Sequence, residues 1–143
     1  MINEFRKFVK NQKLWGSQSR LLLAVSGGVD SVSLVDLCLK LNLNFGIAHC
    51  NFSLRGAESD GDQEFVKSLA SDLDLPFYTI SYNTKEMAEE LGISIQMAAR
   101  KLRYDWFEEI ALANGYAHIV TAHHLDDQIE TFFINLIRGT GLS

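Results

Sequence analysis

Polar and apolar positions follow two rhythms along this chain, and they alternate. Residues 21–25 (Leu21, Leu22, Leu23, Ala24, Val25) form an unbroken apolar run that stops at Ser26-Gly27-Gly28-Val29-Asp30-Ser31. A short apolar run bounded by glycine predicts a strand buried on both faces. Behind it, residues 32–41 place Val32, Val35 and Leu39 at i, i+3 and i+7, with Leu34, Cys38 and Leu41 beside them, which predicts a largely buried helix. Residues 42–49, 77–81 and 119–122 predict three more strands. Between the second and third, Ser59-x-x-Asp62 fits a capping box, opening a helix with Phe65, Val66, Leu69, Ala70 and Leu73 on one side and Pro76 beyond its end. Thr84 opens a short helix that Gly92 closes. Ser94 caps a longer one with Met97, Ala98, Leu102, Phe107, Ile110 and Ala111 facing inward, and Gly115 ends it. Asp126 opens a last helix, where Ile129, Phe132, Phe133, Leu136 and Ile137 recur at i, i+3, i+4, i+7 and i+8. Residues 2 to 13, with Phe5, Phe8 and Val9 on one face, predict a short helix packed against the sheet edge.

Strands alternating with helices imply βαβ units with right-handed crossovers. The predicted fold is therefore α/β: a Rossmann-like parallel sheet with helices on both faces. Such sheets bind ligands outside the carboxyl ends of their strands. Three polar segments fall there: the turn after Val25, the loop after His49 and the loop after Ala122.

The first of these has anion-binding geometry. A helix N-terminus presents free N–H groups and the positive end of its dipole to the turn before it. Gly27 and Gly28 can adopt positive φ and leave no Cβ in the way, and Ser26 and Ser31 add hydroxyls. No Lys follows the glycines as a P-loop requires, and the G-x-G-x-x-G spacing of a dinucleotide site is absent. Asp30 would repel a bare phosphate, so the turn suits a pyrophosphate accompanied by a cation. The plainer alternative is that Asp30 or Ser31 caps the helix.

The other two segments add charge. Arg55, in the loop after His49, could contact phosphate or an RNA backbone, or be a solvated loop residue. His49 fits a core histidine bonded to backbone somewhat better than a reacting group. Gln96, Arg100, Arg103 and Tyr104 share one helical face, which forms either a site wall or an ordinary charged exterior. His123, His124, Asp126, Asp127 and Glu130 fall within eight residues. Helix capping accounts for one of these acids and leaves the others unexplained. Neighbouring His123 and His124 on a strand point to opposite faces and would not share a zinc ion. Mg²⁺ held by Asp30 with Asp126 or Asp127 is the better match to carboxylate donors.

Composition narrows the class further. A net charge of −5 excludes this segment as an electrostatic nucleic-acid binder by itself. Cys38 and Cys50 make neither a disulfide framework nor a C-x-x-C motif. There is no signal-peptide h-region and no apolar run of about 18 residues, so the expectation is a cytoplasmic protein without a membrane partner. The final stretch, residues 138–143, has loop composition and closes no element, so residues 1–143 read as the front portion of a longer protein.

SGGVDS resembles the PP-loop of the ATP pyrophosphatase superfamily. HCNFSLRGAESDGDQEFVKSLA, SIQMAARKLRY and TAHHLDDQIETFFINLIRGTGLS, in that order between Leu21 and Ser143, are similar to the bacterial tRNA(Ile)-lysidine synthetases of that superfamily. The tRNA thiolases of the same group carry C-x-x-C motifs that are missing here. Phe52 departs from the pattern, since many members have a second His there. The resemblance implies ATP binding at Ser26, Gly27, Gly28, Val29, Asp30 and Ser31, Mg²⁺ on Asp30 and Asp127, and catalytic roles for Asp30, Arg100 and Asp127. Arg55, His124 and Glu130 would contact tRNA or substrate. It implies two partners, a tRNA(Ile) with a CAU anticodon and free L-lysine, and leaves a homodimer open. In the implied reaction the wobble cytidine is adenylated and lysine then displaces AMP to give lysidine. Residues 1–143 would be the N-terminal portion of the catalytic domain, with the tRNA-binding regions lying beyond it. The alternatives are another PP-loop enzyme, such as a thiolase or an amidotransferase-type synthetase, and an ATP-binding sensor module without catalysis.

Overall fold

The computed structural model describes residues 20–54, 56–125 and 128–135, with Asp30 and residues 122–125 and 128–135 described in backbone only. Strand β1 (Arg20–Ala24) leads into helix α1 (Val29–Lys40), then β2 (Asn44–Asn51), α2 (Ala57–Asp72) and β3 (Phe77–Ser81). The chain continues through α3 (Thr84–Leu91) and α4 (Ile95–Asn114) into β4 (His118–Leu125) and β5 (Gln128–Asn135). The sheet order is β3-β2-β1-β4-β5, parallel through its first four strands. The chain works outward from β1 to β3 and then crosses back to place β4 on the other side of β1. That reversal opens a crevice at the carboxyl ends of β1 and β4.

Alternation along β1 divides the core between two layers. Leu21, Leu23 and Val25 pack with Phe45, Ile47 and Val120 against Leu34, Val35 and Cys38 of α1 and Val66 and Ala70 of α2. Leu22 and Ala48 pack on the other side with Trp106, Phe107 and Ala111 of α4 and with Tyr116 and Ile119. Helices therefore cover both faces, and the continuous apolar run of β1 follows from double burial.

The expected boundaries hold where local chemistry sets them. Ser94 Oγ accepts a hydrogen bond from the Met97 N–H at 3.1 Å, and α3 and α4 end on left-handed Gly92 (φ 67°) and Gly115 (φ 76°). Ser59 is not the cap of its helix. Helix α2 begins at Ala57 behind Gly56 (φ 55°) with no side-chain cap, so Ser59 lies inside the first turn. Expected inward residues Phe65 and Met97 are 49% and 59% exposed, while Trp106, which the periodicity passed over, is buried. A helix that lies on a sheet buries a narrower stripe than its full apolar content.

The last expected helix is a correction. Residues 128–135 form β5, antiparallel to β4 from His118↔Asn135 to Leu125↔Gln128. Ile129, Thr131, Phe132, Phe133 and Ile134 are β-branched or aromatic, and pairing with β4 satisfies an otherwise open strand edge. The expected helix at residues 2–13 lies outside the described residues.

At the amino end of the sheet, Arg20 donates to the Asn114 carbonyl (2.7 Å) and to the Tyr116 hydroxyl (2.9 Å), which lies 3.1 Å from the Tyr78 hydroxyl. Gly46 provides the space for this cluster, since a Cβ there would collide with the Tyr116 hydroxyl and lie 2.9 Å from its Cζ.

Candidate functional site

The turn between β1 and α1 is organised around one hydroxyl. Ser31 Oγ accepts from the N–H groups of Ser26 and Gly27, both at 3.2 Å, and donates to the Gly28 carbonyl at 3.0 Å. Ser26 Oγ accepts from the Gly28 N–H at 3.3 Å and lies 3.2 Å from Ser31 Oγ. Three consecutive amides thus converge on two hydroxyl oxygens, the concave arrangement that binds anions. These bonds are long for N–H···O, and a phosphate oxygen is a stronger acceptor than a hydroxyl. The two glycines differ: Gly27 has φ 97°, whereas Gly28, the N-cap of α1, has φ −77° and ψ 167°, open to any residue. Gly28 also answers part of the capping alternative, because the N-cap position is neither Asp30 nor Ser31. Ser31 is nevertheless structural to the turn.

A cavity of about 240 Å³ adjoins this turn at the carboxyl edge of the sheet. Ala24 at the end of β1 lines it with Val25 and Ser26 just beyond, as do His49, Cys50 and Asn51 of β2. Phe52 and Leu54 of the following loop, Ser59 and Asp62 of α2, Arg103 and Phe107 of α4, and Thr121 of β4 complete the wall. The loop after β2 is pinned over it. Buried Asn51 donates to Asp60 (2.9 Å) and Gln63 (2.9 Å) and accepts from the Ser53 N–H (2.9 Å). Thr84 donates to the Phe52 carbonyl at 2.8 Å. The Phe52 ring stacks on Tyr82, with centroids 6.3 Å apart, and the Arg103 guanidinium sits 5.7 Å from its centre.

His49 is a buried histidine bonded to backbone: its Nδ1 lies 2.8 Å from the Val25 carbonyl oxygen. Burial pushes the Cys50 thiol up to about 12, partly offset by the Arg103 charge, so the group remains a thiol at neutral pH. Nucleophilic thiolate chemistry at this wall is therefore disfavoured.

The expected site residues separate into groups. Ser26, Gly27, Gly28 and Ser31 form the turn, exposed Val29 opens α1, and the Asp30 backbone lies in the first turn of α1. Of the α4 face, Arg103 lines the cavity, while exposed Arg100 sits with its guanidinium 5.3 Å from the Tyr104 ring centre. His124 and Glu130 fall on β4 and β5, paired with Ile129 and His123. Arg55, Asp126 and Asp127 lie outside the described residues. Among the described residues no three His, Cys, Asp or Glu side chains form a metal cluster. Carboxylates, the donors expected of Asp30 and Asp127, are the donor type that suits Mg²⁺. Sequence reasoning gave Asp62 only a capping role and gave Asn51 and Thr121 none. Asp62 had a local signal, its four-residue spacing to Val66, but nothing in sequence links it to Gly27, against which it packs.

The comparisons agree with this geometry. A family model described as the PP-loop domain matches residues 1–143. A tRNA(Ile)-lysidine synthase from Porphyromonas gingivalis is 45% identical over the whole chain, which spans 32% of that relative. Similarly named proteins from Chlorobaculum tepidum and Geobacter sulfurreducens are 41% and 40% identical, over 96% and 99% of the chain and 44% and 31% of their own lengths. The chain thus spans about a third of the length of the first of these curated relatives. Among solved structures, an NH3-dependent NAD synthetase from Campylobacter jejuni matches with a TM-score of 0.61 at 20% identity, over 82% of this chain and 53% of that one, a likeness of fold.

Proposed function

The chain belongs to the PP-loop domain family, and from that premise we propose that it is the nucleotide-binding, N-terminal portion of an ATP-dependent ligase that joins lysine to the wobble cytidine of a tRNA(Ile). The observation that carries the reading is the turn: the amides of Ser26, Gly27 and Gly28 converge at the mouth of α1, at the switch point of a parallel sheet. Its similarity to tRNA(Ile)-lysidine synthases along its whole length supplies the substrate class.

In the proposed reaction the cytidine O2 attacks the α-phosphorus of ATP and the bond to pyrophosphate breaks. The lysine amine then attacks C2 and AMP departs. The three amides stabilise charge growing on the leaving pyrophosphate, because they are fixed before the reaction begins. Mg²⁺ held by Asp30 and Asp127 would neutralise the triphosphate as the nucleophile approaches. Asp30 or Asp127 would take the proton that the lysine amine loses. Arg100 is assigned to the α-phosphate or the adenylated base, and Arg55, His124 and Glu130 to tRNA or substrate. Residues 1–143 carry no C-x-x-C motif, which favours this chemistry over that of a thiolase.

The test uses the complete protein that carries this chain, with ATP, unmodified tRNA(Ile) transcript and radiolabelled lysine. Lysine-dependent label in the tRNA, with one pyrophosphate released per modified tRNA, is the expected result. Release of pyrophosphate without label transfer would leave another PP-loop enzyme, and ATP binding without release would leave a sensor module.

A further inference from the structure

One buried side chain ties the loop after β2 to the helix that follows it. Asn51, the last residue of β2, is 3% exposed. Its Nδ2 donates to Asp60 Oδ1 and to Gln63 Oε1 on α2, each at 2.9 Å. An ionised carboxylate only accepts, so Asp60 fixes which way the Asn51 amide faces. The side-chain oxygen of Asn51 is thereby turned to the loop, where it accepts from the Ser53 N–H at 2.9 Å. Gln63 extends the network to β3, donating to the Thr79 hydroxyl at 2.8 Å. The main chain is held at the same place: the Asn51 carbonyl accepts from the Tyr82 N–H, and the Phe52 carbonyl from the Thr84 hydroxyl, both at 2.8 Å.

The loop needs this support. Ser53 has φ 57°, a left-handed conformation that a side chain disfavours. An Asn oxygen bonded to the amide two residues on mimics a backbone turn and stabilises such a bend. Phe52 and Leu54 lie on either side of Ser53, and both line the cavity beside the β1–α1 turn. They belong to no strand or helix, so the bonds at residues 51–53 decide where they stand. We propose that Asn51 is a positioning residue for the ligation, holding the β2–α2 loop in the conformation that completes this wall. It acts through Phe52 and Leu54, by setting the fraction of molecules whose wall is complete. A ligand that binds only the complete form loses apparent affinity in proportion to that fraction, while turnover at saturation is unchanged. Position 51 must donate to two acceptors and accept from one donor, which an amide does and a carboxylate of the same size does not.

The inference rests on reading this chain as the ATP-binding part of a ligase. The complete protein is compared with its Asn51→Asp, Asp60→Asn and doubly substituted variants. Pyrophosphate release is followed against ATP concentration with tRNA(Ile) transcript and lysine, and hydrogen exchange at the Ser53 amide is followed without ligands. Asn51→Asp sets one carboxylate against another, and it should raise KM for ATP at least about tenfold with kcat within about twofold of the parent, and speed exchange at Ser53. Asp60→Asn keeps an acceptor oxygen and should behave as the parent does. Together the two substitutions should bring KM back to within about threefold, because the amide at position 60 then donates to the carboxylate at position 51. Gln63 can turn its amide to do the same, with the Thr79 hydroxyl donating in return. An unchanged KM in Asn51→Asp, a fall in kcat alone, or no rescue by Asp60→Asn would overturn the proposal. If Asn51→Asp does not fold, Asp60→Ala decides: Asp60 is exposed, and losing this acceptor should raise KM about threefold, whereas an unchanged KM would overturn the proposal. If the parent releases no pyrophosphate, the ligase reading fails instead, and exchange at Ser53 decides the role of Asn51 by the same pattern of loss and rescue.

Discussion

The two glycines of the turn should respond to substitution in opposite ways. Gly28 has φ −77° and ψ 167°, and a Cβ built on it meets only Ser26 Oγ, at 3.6 Å. Gly28→Val therefore adds no backbone strain and its Cβ meets no collision, and the folded state should change by less than about 1 kcal/mol. The isopropyl group would nevertheless stand at the mouth of α1, where the amides of Ser26, Gly27 and Gly28 converge. Losing one charge-assisted hydrogen bond costs about 1.5–3 kcal/mol, or roughly ten- to hundredfold in ATP affinity. At Gly27 a Cβ would find ordinary contacts, 3.5 Å to Asp62 and 3.6 Å to Val66, but φ is 97°. Gly27→Ala should then cost about 1–3 kcal/mol of stability through backbone strain alone. In a chain of this size each kcal/mol corresponds to roughly 2–4 °C in melting temperature. Calorimetric titration with Mg-ATP, paired with thermal unfolding, separates the two effects. If Gly28→Val binds ATP like the unaltered chain, the turn is not the phosphate site. If Gly28→Val unfolds as early as Gly27→Ala, the backbone assignment of the two glycines is wrong.

Asp30→Asn and Asp127→Asn should each abolish pyrophosphate release in the complete protein at unchanged melting temperature, because Asn matches Asp in size but lacks the charge that holds Mg²⁺; near-normal release would remove both from the metal site. Stability should fall as pH rises above about 9: burial raises the Cys50 thiol from 9.0 to about 12 and raises Cys38 and Tyr116 as well, so the folded chain holds protons that the unfolded chain releases in that window. Denaturant titrations at pH 8, 9 and 10 measure this, and rising stability would contradict it. Gly46→Ala should lower stability by about 1–3 kcal/mol through overpacking against Tyr116, at the opposite end of the sheet, and leave the affinity for ATP unchanged. A Gly46→Ala chain as stable as the parent would place the Arg20–Tyr116–Tyr78 cluster elsewhere.

What the sequence determined by itself is local. The apolar run of residues 21–25 ending in two glycines needs no distant information to specify a buried strand, a turn and a helix. Ser94, Gly92 and Gly115 set helix ends through bonds to residues three to five positions away, and they do so in the structure. The α/β class followed from counting such units. Tertiary structure decided everything that depends on which strands become neighbours. Sheet order brings Thr121 beside Ala24 and sets His49 against Val25, and no spacing in the chain encodes either meeting. It chose Gly27 over Gly28 for the positive-φ position. It chose Arg103 from a face of four polar candidates, because the axial rotation of α4 is set by Trp106 and Phe107 packing under the sheet. It also turned residues 128–135 from an expected helix into β5. There the apolar residues suit both periods, and pairing with the exposed edge of β4 stabilises a strand in a way that no helix at that position could match.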